Sequence, residues 1–422
     1  MRSVEIARWE CNYLSRSGSW MLIYGRRKTG KTWLLRRCLK WTLYVTLTRG
    51  GNCIVEDGAK REFMDYEGAI ERVLEILRGE GNIVVIDEFQ RFPEKYWDLI
   101  AIASQESRGL LMICGSSMGI LRKIFDRKSS LLGIVSGFHI DLASVSDTVA
   151  SLAKNLSPRQ ALLWAPLARD PWILPHVDLT REPWHELLDK AFTLIPIVEG
   201  LVGEVFLEEE RQLTKLYEAL LRLLAMREWN IKVLANKLYS LGLTSSPQPS
   251  SVTGVLHVME KMGLVTRLPL WKTRYSRVYY MHRSPLLAML LYLDEVTAGL
   301  ETKVPIEVVK NRYSIELQFT IGELLAEYHD LRQAYTILPG GEGDVDIVLL
   351  DRKGNPKIGY EVKMGLITKR EVMKILEIAS KLNIPKMGVI SLTEKPKIGV
   401  IEEYGPKELV KIALETSKKN RK

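Results

Sequence analysis

Apolar positions along the chain follow two rhythms. Short unbroken runs suit buried parallel strands, and longer stretches with a spacing near 3.6 suit amphipathic helices. Met21 to Tyr24, Leu43 to Leu47, Ile83 to Ile86 and Gly109 to Cys114 are runs of the first kind. Between them, Phe63 to Leu77 has helical spacing and Gly81-Asn82 is a turn signal. Strands alternating with helices predict a parallel, doubly wound sheet whose working edge lies at the strands' C-terminal ends. Residues 141–205 are helical in pattern, and their Trp164, Trp172 and Trp184 are expected as packing anchors rather than stacking platforms. From Phe206 the rhythm changes. Leu213 to Leu224, Ile231 to Leu241 and Ser251 to Met262 predict three helices, and Gly263 to Val265 opens a hairpin that returns at Val278 to Tyr280. Three helices and a hairpin is the winged-helix order. Beyond Val304, the pattern predicts a helix at Ile321 to Tyr328, then a glycine loop (340–343) leading into a strand that ends at Leu350. A turn over Asp351 to Lys357, a return strand from Ile358 to Lys363 and a helix over Lys369 to Leu382 complete it.

The first strand runs into Gly25-Arg26-Arg27-Lys28-Thr29-Gly30-Lys31-Thr32, which fills every fixed position of G-x-x-x-x-G-K-[ST]. These eight residues are the expected cradle for the phosphates of ATP, because glycines let successive N–H groups turn inward at a helix N-terminus. Lys31 would reach the β- and γ-phosphates, and the Thr32 hydroxyl would ligate Mg2+. The strand Ile83 to Ile86 ends in Asp87-Glu88. Asp87 is the expected magnesium-shell acid, and Glu88 the residue that orients and polarises the attacking water. The strand before Gly115-Ser116-Ser117 leaves two readings open. Ser116 senses the γ-phosphate, or Ser116 and Ser117 cap the next helix.

Charge changes the picture next. A chain of 422 residues with net charge +9 and pI near 9.1 has length for two to four domains and favours an anionic partner. Lys261, Arg267, Lys272, Arg274, Arg277 and Arg283 crowd the predicted hairpin without an Asp or Glu among them, and Trp271, Tyr275 and Tyr279 interleave. That suits phosphate contacts with DNA, the alternative being a protein-interaction module. Cys11, Cys38, Cys53 and Cys114 never form C-x-x-C, which argues against zinc and a disulfide framework and for a reducing compartment. No apolar leader and no window of eighteen uncharged apolar residues are visible, so a soluble, cytoplasmic protein without a membrane partner is expected.

The C-terminal stretch carries a second constellation. Folding the hairpin about Gly354 sets Asp346 opposite Glu361 and Lys363, and the latter two share a face by strand alternation. Glu323 and Glu327 stand at i, i+4 on the preceding helix. Carboxylates of Asp346 and Glu361 would ligate magnesium, while Lys363 would steady the attacking water or the developing phosphorane charge.

YGRRKTGKT, VVIDEFQRFP and LMICGSSMGIL together resemble the archaeal branch of AAA+-like ATPases related to signal-transduction (STAND) NTPases. The resemblance implies an α/β multidomain chain: a P-loop parallel-sheet ATPase core over 1–140, a helical lid over 141–205, a winged helix over 206–300 and a C-terminal α/β nuclease-like domain over 301–422. Two departures bear on hydrolysis. Gly133-Ile134 stands where the family has Gly-Arg, leaving Arg122 or Arg127 to replace that charge. Ala168-Arg169-Asp170-Pro171 stands where the lid has Gly-Gly-x-Pro. GDVDIVLL and YEVKMG resemble the central motifs of the PD-(D/E)XK nucleases. That resemblance implies a catalytic trio of Asp346, Glu361 and Lys363, with Glu323 as helix acid and Glu327 as its alternative. The implied function is an ATP-hydrolysing, DNA-associated protein with a magnesium-dependent nuclease domain, acting as a homo-oligomer or with a protein partner. The alternative is a nucleotide-controlled regulator whose nuclease-like domain only binds.

Overall fold

The computed structural model describes residues 4–58, 60–116, 118–209, 211–271, 278–297, 303–337, 344–399 and 402–421. Its first sheet has seven strands: β1 (Met21–Tyr24), β2 (Leu43–Leu47), β3 (Cys53–Asp57), β4 (Lys60–Met64), β5 (Ile83–Asp87), β6 (Leu110–Gly115) and β7 (Ser136–His139), in the order β4-β3-β2-β5-β6-β1-β7. From β2 to β7 all neighbours are parallel, whereas β3 and β4 add antiparallel strands at one edge. Alternation explains the two cores. Leu22, Val84, Ile86 and Ile113 face one side, and Met21, Ile23, Val85 and Met112 face the other.

Helices α1 (Glu10–Arg16) and α2 (Lys31–Cys38) cover one face; α3 (Tyr66–Leu77), α4 (Trp97–Ala103) and α5 (Met118–Ile124) supply the other. Phe63, expected in a helix, lies in β4, because Asp65 caps α3 by accepting from the Gly68 amide. β4 is exposed along its length and β7 has no apolar run, so neither edge strand announced itself. The cysteines also correct the expectation: Cys11 of α1 and Cys38 of α2, 27 residues apart, form a disulfide with Cα atoms 5.1 Å apart. Cys53 and Cys114 are buried and free.

A helical layer follows: α6 (Val145–Leu152), α7 (Pro158–Ala168), a 3-10 segment (Pro171–His176) and α8 (Pro183–Glu208). Next come α9 (Lys215–Ala225), α10 (Ile231–Ser240) and α11 (Ser250–Lys261), then the antiparallel hairpin β8 (Val265–Pro269) and β9 (Val278–His282), and α12 (Pro285–Val296). One continuous apolar core joins these helices to the C-terminal part, reaching from Ile6 to Ala413.

The last part is α13 (Ile306–His329), β10 (Arg332–Ile337), β11 (Asp344–Leu350), β12 (Pro356–Lys363), α14 (Lys369–Leu382), β13 (Met387–Ser391), β14 (Glu402–Tyr404) and α15 (Pro406–Asn420). Its five strands lie in sequence order, antiparallel from β10 to β12 and parallel from β12 to β14. Ile358 and Tyr360 face the core shared with α13, while Val345 and Val389 face α14. Two residues of β11, Asp346 and Ile347, oppose one of β10, Tyr335, so a bulge falls at Asp346 and Ile347. Among the described residues, no helix is long and apolar enough to cross a membrane.

Candidate functional site

The loop between β1 and α2 is built by close approach. A Cβ on Gly25 would meet the Ile140 carbonyl oxygen at 2.0 Å, and Gly30 holds a φ of +92° just before Lys31 starts the helix. Lys31 is buried, and its Nζ donates to the carbonyls of Gly25 at 2.8 Å and Arg26 at 2.9 Å. Burial lowers the pKa of this ammonium, since neither hydrogen-bond partner carries charge. A buried cation held by carbonyl dipoles fits an anionic phosphate.

Beside it, Thr32 Oγ1 donates to Asp87 Oδ2 at 2.8 Å, and the Tyr44 hydroxyl donates to the same oxygen at 2.7 Å. A hydroxyl and a carboxylate in contact at the edge of the phosphate loop fit Mg2+. Glu88 follows in the left-handed region, with φ +60°, which aims its side chain away from the strand. Gln90 Nε2 donates to Glu88 Oε2 at 2.7 Å and to Ser116 Oγ at 3.1 Å, and Arg91 pairs with Glu88 at 3.0 Å. Gln90 thus ties Glu88 to Ser116. Sequence reasoning gave it no role, because nothing local announces a partner 26 residues away.

These groups open on a cavity of about 940 Å³, within the usual size of ligand sites. Arg27, Lys28, Gly30, Lys31, Thr32, Asp87, Glu88 and Ser116 line its polar side; Val4, Ile6, Trp172, Leu174 and Pro175 line the apolar side. Trp164 and Trp184 are buried anchors as expected, and Trp172 packs against the same core while also walling this cavity.

The family described as an AAA domain matches residues 17–146. The chain carries an AAA-type P-loop domain. Its central, mostly parallel sheet has the matching nucleotide-binding fold. No curated protein sequence matches the chain. Solved structures similar to it include the Aeropyrum pernix ORC2 protein in ADPNP–ADP complexes, at 14% identity and TM-score 0.42 over 76% of this chain and 96% of that one. The Aeropyrum pernix ORC1 protein in complex with DNA is 16% identical, with TM-score 0.29, over 67% of this chain and 88% of that one. A STAND protein with a tetratricopeptide-repeat sensor from Pyrococcus horikoshii is 15% identical, with TM-score 0.31, over 76% of this chain and 47% of that one.

Within the AAA domain, not every loop side chain faces the cavity. Arg26 is turned into a buried pair with Asp170, one guanidinium nitrogen donating to both carboxylate oxygens (2.6 and 2.7 Å), and the Thr29 hydroxyl donates back to the Arg26 carbonyl at 2.9 Å. Arg27 lines the cavity while pairing with Glu204 and Glu208 at the end of α8, each at 2.7 Å. Arg8 donates to the Thr29 carbonyl at 2.7 Å, bracing the loop from outside. Arg122 and Arg127, expected as replacements for the missing family arginine, are exposed and do not line the cavity. Ser117 lies outside the described residues. The first described amide of α5, that of Met118, is taken by Glu209 of the α8 end.

Around the hairpin β8–β9, two of the described cations are engaged. Arg267 pairs with Glu260 at 2.7 Å and Arg283 with Asp141 at 2.8 Å. Arg283, with the Leu142 amide, holds the Asp141 carboxyl at about 2 although burial opposes this. Tyr279 packs near Trp229 and Tyr335, and Trp271 is partly buried against the core cluster of α14. Lys272, Arg274, Tyr275 and Arg277 lie outside the described residues, as does the glycine loop 340–343.

In the C-terminal sheet, β11 and β12 pair with Ile347 opposite Tyr360, and Gly354 makes the turn with φ +84°. Asp346 Oδ2 accepts the Val362 amide at 2.8 Å, and Lys363 Nζ pairs with Glu361 at 2.7 Å. Burial opposes the Lys363 charge, but the hydrogen bond and charge of Glu361, with Asp346 and Glu371, raise its pKa. Asp346, Glu361 and Lys363 therefore gather at one strand end. The helix acids do not join them. Glu323 accepts both Arg169 nitrogens at 2.6 Å, and Glu327 accepts the Val145 and Ser146 amides at the start of α6. Burial works against the Glu323 charge, yet Arg169 and Arg283 keep its pKa low; burial and Glu323 raise that of Glu327. The reason is geometric. α13 packs on the Tyr360 face, whereas Glu361 and Lys363 alternate to the face of α14. The α13 residue level with Asp346 is Gln318, whose Nε2 donates to the Asp346 carbonyl at 2.9 Å. Among the described residues, no three His, Cys, Asp or Glu side chains form a metal-holding group.

Proposed function

We propose that this chain is an ATP-hydrolysing, DNA-associated protein whose C-terminal sheet carries a metal-dependent phosphodiesterase site. The observation that carries the reading is the gathering of Lys31, Thr32, Asp87, Glu88 and Ser116 on one cavity. Lys31 would neutralise the phosphates, Glu88 would accept the proton of the attacking water, and Gln90 would hold Glu88 and Ser116 in register. Thr32 and Asp87 would hold magnesium, which when bound supplies positive charge between the β- and γ-oxygens. In the second site, Asp346 and Glu361 would hold a metal ion and Lys363 would supply positive charge to the attacking water and the phosphate. DNA association is supported by the net charge of +9.

A second reading has its own support. Arg27 is already paired with Glu204 and Glu208, and Arg122 and Arg127 do not line the cavity, which favours a nucleotide-controlled regulator. The deciding experiment is nicking of plasmid and branched DNA with magnesium or manganese, with and without ATP. Asp346→Ala should remove most cleavage, since the metal loses a ligand. Equal behaviour of wild type and Asp346→Ala on every substrate would hand the chain to the regulator reading.

A further inference from the structure

α14 presents one outer face that its core packing leaves in solvent. Val372, Ile375, Ile378 and Leu382 are buried against the sheet, while Lys369, Arg370, Met373, Lys374, Glu377 and Lys381 are exposed. At 100° per residue these exposed positions fall on one side of the helix. The helix starts beside the C-terminal site, six residues after Lys363 ends β12. The loop that leaves β13 begins at the same place, where the Leu392 amide donates to the Lys363 carbonyl at 2.9 Å. It then runs beside α14, with Ile398 packed against the cluster that holds Val372 and Ile375. Lys395 and Lys397 are exposed on it.

Lys369, Arg370, Lys374, Lys395 and Lys397 make no hydrogen bond or ion pair among the described residues. This differs from the paired cations Arg267 and Arg283 of the β8–β9 region, which neighbouring carboxylates already neutralise. Unpaired cations on a fixed scaffold repel one another and attract a polyanion. Glu377 and Glu394 are the exposed acids among them and leave the balance positive. From Lys369 to Lys374 the helix rises about 7.5 Å, a little over two phosphate steps at about 3.4 Å per strand.

We infer that the outer face of α14 and the loop after β13 form the track along which a nucleic-acid backbone reaches Asp346, Glu361 and Lys363. The inference rests on the phosphodiesterase reading for its destination, and its test is independent of cleavage. Binding of labelled duplex and single-stranded oligonucleotides to the full chain is followed by fluorescence anisotropy in chelator, across a salt series. Replacing Lys369, Arg370 and Lys374 together by Gln should flatten the slope of log affinity against log salt by about 3 for duplex and about 2 for single strands. At about 150 mM salt that corresponds to a loss of roughly a hundredfold in duplex affinity. Glu377→Lys, which adds a cation on the same face, should steepen the slope and guards against a variant that merely misfolds. An unchanged slope in both variants would overturn the inference, as would binding to vesicles of anionic phospholipid that competes out the oligonucleotide. A flattened slope in a chain that cleaves no substrate would support the track and remove the phosphodiesterase reading.

Discussion

Two lysines beside carboxylates serve opposite arrangements in this molecule. Lys31 is buried and bound by carbonyl oxygens, and burial lowers its pKa although Glu208, Asp87 and Glu88 act in the opposite direction. Lys363 is partly exposed and bound by Glu361, which raises its pKa against the effect of burial. One site is prepared to receive an anion, whereas the other already contains one. The phosphate loop is therefore organised by its backbone before any ligand arrives, and the C-terminal site by side chains that a metal would have to rearrange.

The sharpest way to break this contrast is to remove each lysine. Lys31→Ala should weaken ATP binding by about 3 kcal/mol or more, because at least one charge-assisted contact to the phosphates is lost. Titration with a fluorescent ATP analogue checks this, and Lys363→Ala should leave that affinity unchanged. A smaller effect separates binding from chemistry in the first site. Glu88→Gln should slow turnover by about a hundredfold with nearly unchanged ATP affinity, since the water loses its proton acceptor. Single-turnover phosphate release beside the binding titration would expose a wrong assignment as equal rates.

The smallest expected effect is in pH, and its sign separates the lysines. A raised folded pKa contributes stability that is complete below the unfolded value near 10.5 and fades as pH rises through the folded value. Lys363 should behave this way, by no more than about a few tenths of a kcal/mol given its exposure to solvent. A lowered lysine pKa has the opposite sign, so stability should recover as pH rises from the folded value of Lys31 toward 10.5. Urea melts of Lys31→Met and Lys363→Met between about pH 8 and pH 11 should show slopes displaced in opposite directions from wild type. Parallel displacement would mean that both lysines share one electrostatic environment.

What could be read in the chain was local. The phosphate loop, Asp87-Glu88, the three helices before β8 and the turn at Gly354 all follow from spacing over a dozen residues or fewer. Ile347 pairs with Tyr360, one residue from the register symmetric about Gly354, because the pairing shifts between Leu349 and Leu350. What escaped was long-range. Arg26 meets Asp170 across 144 residues, and Arg169 meets Glu323 across 154, and no period or motif encodes either partner. Glu323 and Glu327 carry the spacing of a helical acid pair, but the face on which α13 packs decided their partners. The bulge at Asp346 escaped for a different reason: a single extra residue in a strand leaves its apolar alternation nearly unchanged.

α8 has a consequence for energetics. At 26 residues it extends about 39 Å, with its body against α12 and α13 and its end on Arg27, Arg49 and Met118. Glu204 and Glu208 hold the same guanidinium that a bound triphosphate would attract, so the helix end and the nucleotide draw on one cation. Where two ligands compete for one group, thermodynamic reciprocity fixes both directions at once. Whatever factor nucleotide exerts on the seating of α8, a displacement of α8 exerts on nucleotide affinity. A load applied far from the phosphates would then be weighed at the phosphate loop in the same units as ATP concentration.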